Sequence, residues 1–304
     1  MKSFLAINDC TTDELHELLE LSSQLKALYK SGGRDTCLSG KVLAMLFEKA
    51  SLRTRVSFQV AMSDLGGTAI YLKPEDIGII GEREPAKDMA RVFDRYIDGI
   101  MARTYSHDTI VELDKWTGVP VINALSDWTH PCQAMADIMT IQEHCGDLKG
   151  LKLAYIGDGN NVARSLAFAC AKFQMHFVCA APKQYELDTA SLDAANSILP
   201  GSAVQTNDPV AAVTDARVVY TDTWVSMGQE SEKEQRVKVF QGFALDETLL
   251  ANAPDNTKVM HCLPAYRGFE ISDRVMESEH SIVFDQAENR LHFQRALLKY
   301  LLAK

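Results

Sequence analysis

Five consecutive residues, Ser51-Leu52-Arg53-Thr54-Arg55, place two hydroxyls and two guanidinium groups close behind an apolar run, Lys41 to Phe47. If that run is a strand and a helix starts at the five, the helix's first N–H groups face whatever lies beyond the strand end. The helix dipole favours negative charge there. Ser51 and Thr54 add donors, and Arg53 or Arg55 can grip a phosphate with a planar two-bond fork. The plainer alternative is a polar N-cap followed by solvated arginines. Four such groups in five residues favour an oxyanion site.

Other residues extend that chemistry. Arg103 ends an apolar run; a buried cation is costly unless it meets an anion. It is either salt-bridged to a nearby acid or a second clamp on the same ligand. His130 and Gln133 stand one helical turn apart. Histidine can donate to a developing oxyanion, and glutamine both donates and accepts, which suits an amide-like group. Alone, His130 reads as structural; beside the cup it reads as functional. Gly157-Asp158-Gly159-Asn160-Asn161 approaches a dinucleotide loop, but Val162 stands where GxGxxG needs its last glycine. The asparagines can instead hold a small carboxylate. Asp222 followed by Ser226-Met227-Gly228 is an exposed loop or a lid hinged near Gly228, with Asp222 pairing a ligand ammonium. Cys262, in His261-Cys262-Leu263-Pro264, is a small hydrophobe or a group that contacts or deprotonates an amine. No covalent-nucleophile motif fits it.

A chain of 304 residues with 46% hydrophobic and 24% charged content is an ordinary globular composition, long enough for two domains. A net charge of −10 argues against nucleic acid and anionic membrane as partners, so the arginines form a local positive site for a small anion. No 18-residue apolar run is present, and the first ten residues lack a signal-peptide core. Seven cysteines without a CxxC pair indicate reduced thiols and a cytoplasmic location, with no zinc site.

The elements that must position these residues alternate. Thr11 and Glu14 form a capping box for a helix carrying Leu15, Leu18, Leu19, Leu25 and Leu28. Strands are expected at 41–47, 69–72, 98–102 and 119–124. A second series is expected at 152–157, 176–181, 217–221, 258–262 and 281–285. Helix-length segments separate them, which describes two open parallel-sheet α/β domains. Ligands in such sheets bind beyond the strands' carboxyl ends, where all the candidate residues fall; a cleft between the domains is therefore expected as the active site. A helix near 132–145 would lead from the first domain to the second.

Together the motifs resemble those of the aspartate/ornithine carbamoyltransferase family. Ser51-Leu52-Arg53-Thr54-Arg55 matches its Ser-Thr-Arg-Thr-Arg, and His130-Pro131-Cys132-Gln133 its His-Pro-x-Gln. Asp222 to Gly228 and His261 to Pro264 resemble the signatures of the ornithine-using members. The resemblance spans essentially the whole chain. It implies transfer of the carbamoyl group of carbamoyl phosphate to the side-chain amine of ornithine, giving citrulline and phosphate in arginine metabolism, or to another amine such as putrescine or aspartate. It implies a carbamoyl-phosphate domain over 1–145, to which a helix at about 287–304 returns, and an ornithine domain over 146–286. Arg103, His130, Asp222 and Cys262 would be catalytic. Ser51, Leu52 (by its backbone), Arg53, Thr54, Arg103, His130, Pro131, Cys132, Gln133, Cys262, Leu263 and Arg290 would bind carbamoyl phosphate. Asn161, Asp222, Ser226 and Met227 would bind ornithine. No cofactor or metal is implied, and the assembly would be a homotrimer or a multiple of trimers. Two departures stand out. Leu52 replaces a threonine, and the 74–84 loop has Gly78 or Ile79 where relatives carry a glutamine that reaches a neighbouring subunit.

Overall fold

The computed structural model describes residues 1–225 and 230–303. The chain divides into two compact units, Met1–Met139 with Asn289–Lys304, and Thr140–Glu288. The division falls inside the helix Pro131–Cys145.

The first unit is built on a parallel sheet of β1 (Val42–Phe47), β2 (Thr68–Leu72), β3 (Gly99–Arg103) and β4 (Val121–Leu125), in the order β2-β1-β3-β4. All of β3 and all but the first residue of β1 are buried, as apolar strands of helix-flanked parallel sheets are. The helix Thr12–Lys30 begins at the capping box: Thr11 Oγ1 accepts from Glu14 N, and Thr11 N donates to Glu14 Oε2 at 2.9 Å. Leu15, Leu18, Leu19 and Leu25 are buried, whereas Leu28 is 39% exposed.

The second unit holds β5 (Lys152–Ile156), β6 (His176–Ala180), β7 (Ala203–Thr206), β8 (Val218–Thr221) and β9 (Lys258–His261), all parallel, in the order β7-β6-β5-β8-β9. Two expectations are corrected here. Residues 281–285 are not a strand. Ser281 makes only an isolated bridge to Val259, and Val283 opens the helix Val283–Leu302. Its buried residues Val283, Gln286, Arg290, Phe293 and Leu297 recur at helical spacing, so packing overrides the β-rich composition of its first turn. The edge strand β7 was not expected. It has four residues, two of them exposed, and no apolar run to mark it.

From Asn289 onward the last helix belongs to the first unit. Lys26 donates to Asn289 at 2.8 Å, Lys299 meets Asp35 at 2.6 Å, Arg295 pairs with Asp64, and the Phe4 and Phe293 rings lie 5.8 Å apart. No helix among the described residues is long and apolar enough to cross a membrane.

Strand order fixes where ligands can enter. In the first sheet the chain steps from β1 to β2 on one side, then places β3 on the other. In the second it steps outward from β5 to β6 and β7, then returns to β8. Connections leaving opposite sides open a crevice at β1/β3 and at β5/β8. Arg103 ends β3, and the Ser51 cup follows β1. Gly157 to Asn161 follow β5, and Asp222 follows β8.

Candidate functional site: an anion group and an amine group

The anion group lies in the first unit. Ser51 caps the helix Leu52–Asp64; its Oγ accepts from Thr54 N at 3.4 Å and donates to Thr54 Oγ1 at 3.1 Å. With no acid in the first turn, the N–H groups of Leu52 and Arg53 keep their attraction for an anion. Arg55 turns away: it stacks on Tyr71 at 4.0 Å and donates to Gln59 at 3.2 Å. The half-buried Arg53 makes no ion pair or hydrogen bond through its side chain among the described residues. Of the two arginines, Arg53 is therefore the one left for a ligand.

Arg103 is buried at the end of β3, in register with Phe47, and its carbonyl accepts from Glu48 N at 2.9 Å. His130 precedes Pro131, which suits the first helical position because proline's missing N–H has no partner there anyway. Gln133 Oε1 accepts from Arg290 Nη1 at 2.6 Å, and Arg290 Nη2 donates to Thr54 Oγ1 at 3.3 Å. The terminal helix thus delivers a cation to the cup. Cys132 points away from this group; its thiol faces the Asn123 carbonyl at 3.4 Å, and burial pushes its pKa up to about 12. Only its backbone is left for a ligand.

Burial, then the Arg290 and Arg103 charges, hold the His130 imidazole well below its usual range. It is therefore a neutral donor at pH 7 rather than a third cation. Unfolding restores an ordinary histidine that binds a proton below about pH 6.5. This residue's contribution to stability is thus present above about pH 6.5 and falls as pH drops, by about 1.4 kcal/mol per pH unit. His130→Gln removes that dependence. Denaturant melts at pH 7 and pH 5 will show a smaller stability difference in the variant than in the wild type.

Sequence reasoning missed Glu48 and Lys49. Buried Glu48 accepts from Ile80 N and Tyr105 N, each at 2.7 Å, tying the 78–84 loop to the chain beyond Arg103. Lys49 sits 4.4 Å over the Tyr105 ring, and burial followed by the Arg103 charge lowers its pKa. The signal was an acid–base pair immediately after an apolar strand.

The amine group lies in the second unit. Cys262 follows β9, and its thiol donates to Asp222 Oδ1 at 3.0 Å. The same oxygen accepts from Thr223 N at 2.8 Å, and Oδ2 accepts from Asn160 Nδ2 at 3.1 Å. Asn160 caps the helix Asn161–Lys172, its Oδ1 accepting from Val162 N and Ala163 N. Its amide is thereby committed, and the half-buried Asn161 stands next to it. Leu263 adopts φ +59° ahead of a cis bond to Pro264, a conformation uncommon outside glycine. Its N–H donates to His261 Nδ1 at 2.8 Å. Because Nδ1 accepts, Nε2 carries the proton and donates to buried Glu270 at 3.0 Å. Asp222, His261 and Cys262 bring an oxygen, a nitrogen and a sulfur within 4.8 Å of one another. A metal there would take one His261 nitrogen and displace the hydrogen bond that nitrogen makes, to Leu263 N at Nδ1 or to Glu270 at Nε2. Ser226, Met227 and Gly228 lie outside the described residues.

Gly159 explains the glycine-rich stretch without a dinucleotide. Its N–H donates to Tyr185 O at 2.7 Å, and an added Cβ would stand 2.2 Å from Leu187 N and 2.4 Å from the Glu186 carbonyl carbon. Both are backbone atoms that cannot swing aside. Gly159→Ala is expected to cost about 2–3 kcal/mol and to displace Asn160 and Asn161. Thermal melts will show the first effect, and a raised KM for the amine substrate the second.

Comparison with known proteins finds two family domains in the chain. Residues 2–143 match the family model described as the aspartate/ornithine carbamoyltransferase carbamoyl-P binding domain, and residues 149–301 the Asp/Orn binding domain. The ornithine carbamoyltransferase of Methanocorpusculum labreanum is 50% identical over 303 residues, covering 100% of this chain and 99% of that one. The solved ornithine carbamoyltransferase from Pyrococcus furiosus superposes with a TM-score of 0.96 at 47% identity, covering 99% of this chain and 97% of that one. The anabolic enzyme from Campylobacter jejuni gives 0.92 at 38%, covering 99% of each. With both halves matched in order and the resemblance in motifs extended to the whole length, the chain belongs to the aspartate/ornithine carbamoyltransferase family.

Proposed function

We propose that this chain transfers the carbamoyl group of carbamoyl phosphate to the side-chain amine of L-ornithine, yielding citrulline and phosphate. The observation that carries the choice of acceptor is the Cys262 thiol held 3.0 Å from the Asp222 carboxylate at adjacent strand ends, an anionic pair suited to an amine. Arg53, Arg103 and the first-turn N–H groups neutralise the phosphate as a leaving group. Thr54, Arg103 and neutral His130 donate to the carbonyl oxygen as it gains charge, where one preorganised donor is worth about 10²–10³ in rate. Gln133 and Arg290 border the carbamoyl group; Asn161, with Ser226 and Met227, holds the amino-acid end of ornithine. The attacking nitrogen needs its lone pair, and an alkylamine has a pKa of about 10. One ammonium proton is lost to solvent before attack, Asp222 and Cys262 contact the neutral amine so formed, and the leaving phosphate takes its second proton.

The homologous enzymes' names support ornithine over the alternative acceptors putrescine and aspartate. Incubation with carbamoyl phosphate and each amine tests the assignment; citrulline from ornithine is expected, and its absence would refute the reading. We further propose a cytoplasmic homotrimer serving arginine synthesis. Seven free thiols support the reducing compartment. Leu52 at 75% exposure, with exposed Val56 and Ile70, supports an apolar face that a neighbouring subunit covers.

A further inference from the structure

Asp137 lies one turn beyond Gln133 on the helix Pro131–Cys145 and is fully buried. Gln133 Nε2 donates to Asp137 Oδ1 at 2.8 Å, while Gln133 Oε1 accepts from Arg290 Nη1 at 2.6 Å. A carboxylate accepts and a guanidinium only donates. An amide joining them satisfies both in one orientation, nitrogen toward Asp137 and oxygen toward Arg290. The geometry points to Asp137 as a positioning residue for the carbamoyl-donor site. It fixes the Gln133 amide so that its oxygen seats Arg290, whose other nitrogen reaches Thr54 Oγ1 at 3.3 Å. Three separated segments, the helix Leu52–Asp64, the helix Pro131–Cys145 and the helix Val283–Leu302, are registered to one another through this chain of bonds. The second lone pair of the Gln133 oxygen is left for a ligand N–H, which an amide turned the other way would repel. The carbamoyl group carries such an N–H. The inference rests on the proposed donor and assigns a task to a residue that touches no substrate.

A swap of charge tests it, by steady-state rates with carbamoyl phosphate varied at saturating ornithine and then the reverse. Gln133→Glu sets one carboxylate against another and is expected to lower kcat/KM for carbamoyl phosphate by about a hundredfold. KM for ornithine should stay within about twofold. Adding Asp137→Asn gives the new carboxylate an N–H to accept while its other oxygen still meets Arg290. The double variant should recover about tenfold of the loss. Asp137→Asn alone, nearly equal in volume, should raise KM for carbamoyl phosphate several-fold and leave that for ornithine unchanged. Near-wild-type kinetics in Gln133→Glu, or no recovery in the double variant, overturns the assignment. If Gln133→Glu does not fold, a folded double variant supports the assignment. If neither folds, Asp137→Asn decides: an unchanged KM for carbamoyl phosphate overturns it. A wild-type protein that makes no citrulline would count against the donor itself, whereas an active wild type without rescue counts against Asp137 alone.

Discussion

Arg53→Ala will abolish useful binding of carbamoyl phosphate and leave the fold intact. Arg53 is half-buried at the start of the helix Leu52–Asp64 and engages no group of its own chain among the described residues. Its removal leaves no internal acid uncompensated, so the thermal midpoint should move by no more than about 2 °C, as surface substitutions do. Function is another matter. A guanidinium that grips a phosphate through two charge-assisted bonds, each worth about 1.5–3 kcal/mol, accounts for roughly 10²–10⁴ in kcat/KM. Arg55 cannot take over, because it is stacked on Tyr71 and bonded to Gln59. Arg55→Ala is therefore the control, with kinetics close to wild type. Titration of carbamoyl phosphate into both variants checks the pair; wild-type affinity in Arg53→Ala would move the anion elsewhere.

Asp222→Asn should be nearly as damaging, on the other substrate. This carboxylate accepts from three donors: the Cys262 thiol and Thr223 N at one oxygen, Asn160 Nδ2 at the other. An asparagine must turn its own N–H₂ toward one of those donors, so the substitution loses the charge and also breaks the local pattern. We expect kcat/KM for ornithine to fall about 10²–10³ while KM for carbamoyl phosphate changes by less than about threefold. Cys262→Ser separates the two members of the pair. A hydroxyl still donates to Asp222, so the loss should be smaller, with poorer ornithine use and an altered pH–rate profile. Wild-type kinetics in Cys262→Ser at every pH would remove the thiol from the mechanism.

Of the nine strands among the described residues, eight could be read from apolar runs; seven of these are largely buried, and β2, at a sheet edge, is still apolar at Ala69, Ile70 and Leu72. The exception, β7, sits at a sheet edge with Val204 and Gln205 exposed, so its sequence carries no such mark. The first turn of the last helix failed for the opposite reason: Ile282, Val283 and Phe284 favour a strand locally, and packing decides otherwise. Within the site, helix starts were legible because caps and prolines have fixed positions. Choosing between Arg53 and Arg55 was not, since it depends on Tyr71 from another strand. Glu48 escaped notice because its task, holding two loop N–H groups, is set by chain segments 32 and 57 residues away. Cys132, counted among the ligand contacts by resemblance, turns its thiol back to Asn123.

The first unit is interrupted in sequence by the whole of the second. A ribosome making this chain therefore exposes 139 residues of the anion-binding half long before the segment from Asn289, which supplies Arg290, leaves the exit tunnel. Domains usually fold as units in the order of synthesis; here the earlier one waits unfinished while the later one is made. Until Arg290 has emerged, Gln133 and Thr54 lack the guanidinium that joins them, so the bonds that tie three helices of the first unit together form late.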